Sequence, residues 1–246
     1  MCENKHQIAT LSECINSLEV PSCLIEYAER YSSIMHIEVH RQFDNLYKTL
    51  LLGHFNLTMS CNDFSGTNMP TDLYTRELFV RNAIIWYNSA FDILLQSIWI
   101  FYGFYRIKDN SLEITKDTIE KILYNCKYQD IFKSVQREKI KMDKDLFENI
   151  VALHERVKDN ITNWANIMKH RGNFEFIECP FRPMITYKSI KMPSKGTFLE
   201  SFKTHHVNYD SSQTIVRVSI YEAIKTIIDF HNSMIRISKL LIKVCH

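Results

Sequence analysis

Glycine and proline are scarce: five of each in 246 residues, about 4% together where average usage is about 12%. A chain so poor in turn-formers and helix breakers is neither collagen-like nor a low-complexity linker, and it is expected to be mostly long helices. A surplus of one charge is also missing. The 30 Lys and Arg nearly cancel 28 Asp and Glu, leaving +2, which excludes a dedicated nucleic-acid coat relying on counterion release. Phosphate-cradling and nucleophile-elbow loops are absent, since there is no G-x-x-x-x-G-K-[ST], G-x-G-x-x-G or G-x-S-x-G.

The seven cysteines (2, 14, 23, 61, 126, 179 and 245) are odd in number and never spaced C-x-x-C. That pattern predicts free thiols in a reducing cytoplasm. Residues 1–8 carry no apolar core of a signal peptide, so no secretion is expected. The most apolar stretch, 83–105, is interrupted by Asn88, Asp92 and Gln96. An ionisable group at a bilayer centre costs roughly 3 kcal/mol, so a buried core helix is expected and no membrane span. His36 and His40 bracket Glu38, which is not the H-E-x-x-H order of a zinc site, and His205-His206 would need ligands from elsewhere. No metal and no other cofactor is expected.

What the chain does have is 46% hydrophobic residues, with 15 Phe, 12 Tyr and 3 Trp, enough for a substantial core. Periodicity predicts a short N-terminal segment ended by Pro21, a helix over 22–52 stopped by Gly53, and a long loop over 54–71, where turn residues crowd. Asp72 is placed to cap a second long helix reaching Gly103, with Leu78, Ile85, Phe91, Leu95 and Ile98 on its core face. A shorter helix over 116–127 follows Thr115 as N-cap. Residues 133–144 hold five basic residues against two acids and read as a solvated connection. A helix over 144–172 with an unbroken apolar seam ends at Gly172. Period-two patterning then predicts a small antiparallel sheet or hairpin within 173–218, from the runs 173–178, 184–190 and 214–218. Ser219 and Glu222 form a capping box for a last helix reaching about Val244. The expected fold class is all-α, a helical bundle with a small β-containing insertion before the C-terminal helix, in one domain over 1–246.

Two polar constellations interrupt the apolar faces. Glu77, Arg81, Asn88, Asp92 and Gln96 fall on one stripe of the second helix, either facing groups that do chemistry or fixing helix register. Arg156, Asn163, Asn166 and His170 share a face at steps of 7, 3 and 4, with Lys169 and Arg171 flanking the histidine. In the last helical turn the macrodipole favours the imidazolium form, so His170 can donate a proton, hold a phosphate, or simply cap the helix. The aromatic run 99–105 offers either a stacking platform for bases or a buried or dimeric surface.

The run Trp164-Ala-Asn166-Ile-Met-Lys169-His170-Arg171-Gly172, late in a long helix of an all-α chain, resembles the HEPN superfamily (higher eukaryotes and prokaryotes nucleotide-binding). The family's mark is an arginine, often followed by a polar residue, ahead of a histidine. Asn166 and His170 match the polar residue and the histidine, and Ala165 stands at the arginine position. The resemblance implies a helical bundle handling RNA or a nucleotide, as a weak or degraded metal-independent ribonuclease of a bacterial stress or defence system. It implies His170 as acid or base and Asn166 as its orienting group. Lys169, Arg171, Arg156 and Arg81 are then expected at the phosphates, backed by Asn88, Asp92 and Asn163. Together with the aromatic surplus on 83–105, it also implies a homodimer. The alternative is a non-catalytic interaction or dimerisation module with an unidentified protein partner.

Overall fold

The computed structural model describes residues 2–20, 22, 24, 34–62, 69–107, 112–170, 174–179 and 215–244. Eight α-helices and one two-stranded sheet lie within them: α1 (Cys2–Asn16), α2 (Ile34–Ser60), α3 (Met69–Phe101), α4 (Ile119–Tyr124), α5 (Tyr128–Gln136), α6 (Lys144–Val157), α7 (Asn163–His170), β1 (Phe174–Phe176), β2 (Val216–Val218) and α8 (Ile220–Val244). A 3₁₀ turn over Phe104–Ile107 comes after α3, and a π-helical turn over Lys158–Thr162 joins α6 to α7.

α2 and α3 pack together along most of their lengths, and α8 lies against α3, α6 and α1. The seam of α8 is the one periodicity predicts: Ile220, Ala223, Ile224, Ile227, Phe230, Met234, Ile237 and Leu241 are all buried. That of α3 matches expectation in its second half, where Phe91, Leu95 and Ile98 are buried, and departs from it in the first, where Leu78 is exposed, Ile85 is half-buried, and Val80, Ala83, Ile84 and Tyr87 are buried instead. A window within Leu73–Phe101 is long and apolar enough to cross a membrane, and 61% of it is buried inside the protein.

Gly53 does not stop a helix, and the loop expected over 54–71 is mostly helical. α2 runs on to Ser60 and α3 begins at Met69, with 63–68 outside the described residues. The polar residues that suggested a loop bond back into the helix: the Asn56 amide donates to the Leu52 carbonyl (2.7 Å), Thr58 to His54 (3.0 Å) and Ser60 to Leu57 (2.6 Å). Gly53 serves contact instead. A Cβ there would sit 2.9 Å from Cε2 of Tyr87, so the glycine lets α3 approach.

The helix expected over 116–127 shrinks to Ile119–Tyr124. Thr118 precedes it, and Thr115 bonds Thr118 rather than capping the helix. The basic connection over 133–144 begins inside α5. The seam expected over 144–172 passes through the π turn at Lys158–Thr162. Leu146, Ile150 and Leu153 before it and Ile161 and Trp164 after it are buried as expected, Met168 is half-buried, and Ala165 and Ile167 join them in the core.

The sheet is parallel, not antiparallel: Phe174 pairs with Val216, Glu175 with Arg217 and Phe176 with Val218. A tight hairpin turn therefore cannot join them. The run 184–190 lies outside the described residues. β2 leads straight into α8, whose first turn is capped across the sheet. Ser219 Oγ donates to one Glu178 carboxylate oxygen (2.5 Å), and the Ile220 N–H donates to the other (2.8 Å). Ser219 also accepts the Tyr221 N–H. Glu222, expected as the box partner, is exposed.

Candidate functional site

The short helix α7 separates two faces. Trp164, Ala165 and Ile167 are buried, whereas Asn163, Asn166, Lys169 and His170 are exposed. Asn166, Lys169 and His170 stand three and four residues apart, so they share one face over the last turn and a half. The matched histidine and polar residue therefore reach solvent together. Ala165 is 0% exposed, so the position the HEPN pattern gives to arginine points into the core. Arg171 and Gly172 lie outside the described residues.

Beneath this face runs α3. Burial raises the pKa of the Asp92 carboxyl, and the Lys169 charge pulls it back, so the two groups are electrostatic neighbours although Asp92 keeps an exposed edge. Asn88, one turn earlier, is buried. The other half of the α3 stripe does something else. The Arg81 guanidinium is held by Glu77 (2.7 Å from Nε), donates from Nη2 to the Phe174 carbonyl (2.7 Å), and lies 5.4 and 5.6 Å from the Phe174 and Phe176 ring centres. That arginine clamps β1 onto α3, so its Nε and Nη2 are engaged within the fold. The stripe is thus one row of residues with two jobs.

Arg156 does not join His170. Fourteen residues separate them, about 21 Å along a helix axis. Arg156 instead lines a small cleft with Asn160 on one side and Asp229 and Ser233 of α8 on the other.

Sequence reasoning missed the most deeply buried polar network. His231 is fully buried and lies between Tyr87, whose hydroxyl donates to Nδ1 (2.8 Å), and the Glu19 carbonyl, which accepts from Nε2–H (2.9 Å). A carbonyl can only accept, so the imidazole is the neutral Nε2–H tautomer. Burial lowers its pKa to about 4, the nearby His54 lowering it further and the Glu19 carbonyl opposing. The His54 ring lies 5.7 Å away and its Nε2 bonds the Ile15 carbonyl (3.2 Å). The network ties α1 to α2, α3 and α8. The available signal was the position of His231 on the apolar seam of α8, between Ile227 and Met234.

The buried cysteines among the described residues are not set up as nucleophiles. Cys14, Cys61, Cys126 and Cys179 carry free thiols, and burial pushes those of Cys61, Cys126 and Cys179 upward, Cys179 to about 12, so they stay protonated near neutrality. Among the described residues no group of three His, Cys, Asp or Glu could hold a metal ion; His205 and His206 lie outside them. The aromatic run is mostly core, with Trp99, Phe104 and Tyr105 buried and Phe101 and Tyr102 half-buried. No protein-family model matches the chain, and no curated protein and no solved structure matches it.

Proposed function

We propose that this chain is a HEPN-like helical protein that binds RNA or a nucleotide through the exposed face of α7, and that it is a degraded ribonuclease. The observation that carries the reading is the split of α7: Asn166, Lys169 and His170 exposed together, Ala165 fully buried. In this reading Lys169 and His170 meet a phosphate, with the C-terminal end of α7 favouring positive charge there, and Asn166 orients the imidazole or the ligand. Cleavage would need a cation to stabilise the charged phosphate as the 2′-hydroxyl attacks. Position 165 cannot supply one, and Lys169 is shared with Asp92. The site would be completed by a second copy of the chain.

The test is fluorescence anisotropy of single-stranded RNA at low salt in excess EDTA. Binding that weakens in Lys169→Ala, with the slope of log affinity against log salt falling by about one, and that weakens again in His170→Ala supports the reading. Absence of binding at low salt overturns it. A second reading, an interaction module, is favoured by one observation: Leu52 and Phe55 lie three residues apart on α2 and are 42% and 58% exposed. Sedimentation equilibrium of the native chain and of Phe55→Glu distinguishes them, since the module requires an oligomer that the charge disrupts.

A further inference from the structure

Two features that look unrelated in the sequence, the aromatic run 99–105 and the basic run 133–144, meet in the fold. They form a half-open pocket of about 230 Å³ between the end of α3, the 3₁₀ turn and α5. One wall is apolar, made by Trp99, Phe104 and Ile107, with the Trp99 and Phe104 rings stacked at 5.8 Å and 17°. The opposite rim carries Lys133, Arg137 and Lys139, and among the described residues that line the pocket Asp130 is the one acid. None of the three cations has an ion pair among the described residues, and all three are exposed.

Two costs accompany this arrangement. Lys133 and Arg137 stand one helical turn apart, where like charges repel. Between Arg137 and Lys139 sits Glu138, in the left-handed region at φ 54. The turn there is a Schellman motif, Glu138 N–H donating to Val135 and Lys139 N–H to Ser134, at a position that glycine usually takes. A non-glycine residue held in that region is strained, and such strain concentrates where a ligand is clamped. The pocket wall also contains an unpaired donor: the Trp99 indole Nε1 is buried without a hydrogen-bond partner.

We propose that this pocket binds a small phosphomonoester, the phosphate held by Lys133, Arg137 and Lys139 and a small apolar body seated beside Ile107, over the largely buried Trp99 and Phe104. Three cations on one rim suit a dianion better than a single carboxylate, and the guanidinium of Arg137 matches a phosphate two oxygens at a time. The volume admits a phosphate with about one ring. The same chemistry exists on a free metabolite and on the 5′ end of an RNA. The site is separate from α7, since neither Lys169 nor His170 lines it.

The experiment is titration of the full chain at low salt with phenyl phosphate, phenol and inorganic phosphate, read by tryptophan emission and by calorimetry. Trp99→Phe assigns the emission signal against Trp86 and Trp164. We expect saturable binding of phenyl phosphate, no binding of phenol, weakening by at least about tenfold in Arg137→Ala, and loss in the triple alanine variant at 133, 137 and 139. These side chains are exposed, and circular dichroism checks that the variants stay helical. No saturation by about 5 mM, or equal affinity in the triple variant, overturns the proposal. Hexaribonucleotides with and without a 5′ phosphate form a second arm. Binding of the phosphorylated one alone assigns the RNA end as the source, and binding of phenyl phosphate but neither oligonucleotide assigns a free small molecule.

Discussion

Acidification should weaken this fold through His231, and the size of the effect is set by its surroundings. Buried neutral between Tyr87 and the Glu19 carbonyl, the imidazole titrates near 4 in the folded chain and near 6.5 when unfolded. The native state therefore binds fewer protons than the unfolded state between those values, so the contribution is complete above pH 6.5 and is lost as pH falls toward 4. At 1.36 kcal/mol per unit, the whole loss is about 3 kcal/mol, and about 2 kcal/mol of it falls between pH 7 and pH 4.5. Protonation also turns Nδ1 into a donor, so the Tyr87 hydroxyl must rotate away. The assay is urea unfolding monitored by circular dichroism at both pH values, for the native chain and for His231→Phe. Carboxylates titrate in both proteins, so the difference between the two losses isolates the imidazole. Equal losses, within about 0.5 kcal/mol, would refute the reasoning. Should His231→Phe not fold, Tyr87→Phe tests the same network: an orphaned acceptor should cost about 1–3 kcal/mol at pH 7.

Three further outcomes are expected. Gly53→Ala should destabilise the chain by about 1–3 kcal/mol despite the better helix propensity of alanine, because its Cβ meets the hydrogen-bonded Tyr87 ring at 2.9 Å; a raised melting temperature would contradict this. Glu178→Ala should cost about 1 kcal/mol through loss of the α8 cap while Glu222→Ala stays within about 0.5 kcal/mol, measured by chemical denaturation. Ala165→Arg should lower stability by several kcal/mol, about 3 or more, without creating ribonuclease activity, read by thermal melting and an RNA cleavage assay in EDTA.

Legibility varied with the physics behind each element. α8 was readable almost residue by residue, since one face of it is buried throughout and its seam keeps period 3.6. The end of α2 was not, because Asn56, Thr58 and Ser60 satisfy backbone carbonyls from inside a helix as readily as they form turns. The direction of the sheet depends on the path of the chain between 180 and 214, which local alternation does not encode. For the candidate site, the exposed trio on α7 was legible as a pattern of three- and four-residue steps. Arg156 was gathered into that pattern by its angular steps, although fourteen residues of axial rise hold it away from His170. Arg81 looked like a phosphate contact since its partner, the Phe174 carbonyl, lies 93 residues away. The pocket under Lys133 and Arg137 pairs segments more than 30 positions apart, and no local reading joins them.

The wide turn at Lys158–Thr162 has a genetic meaning. An extra residue inside a helix ordinarily swings everything after it round the axis, and here a single expanded turn absorbs the addition, leaving the helices on either side regular. Loss of one codon from this stretch would let α6 continue into α7 as an ordinary α-helix, with Trp164 and Ala165 still in the core and Asn166, Lys169 and His170 still outward. Loss of one codon from the regular helix on either side, where no expanded turn takes up the change, would swing the later side chains by about 100°. The stretch 158–162 therefore tolerates a change of length that the helices flanking it do not.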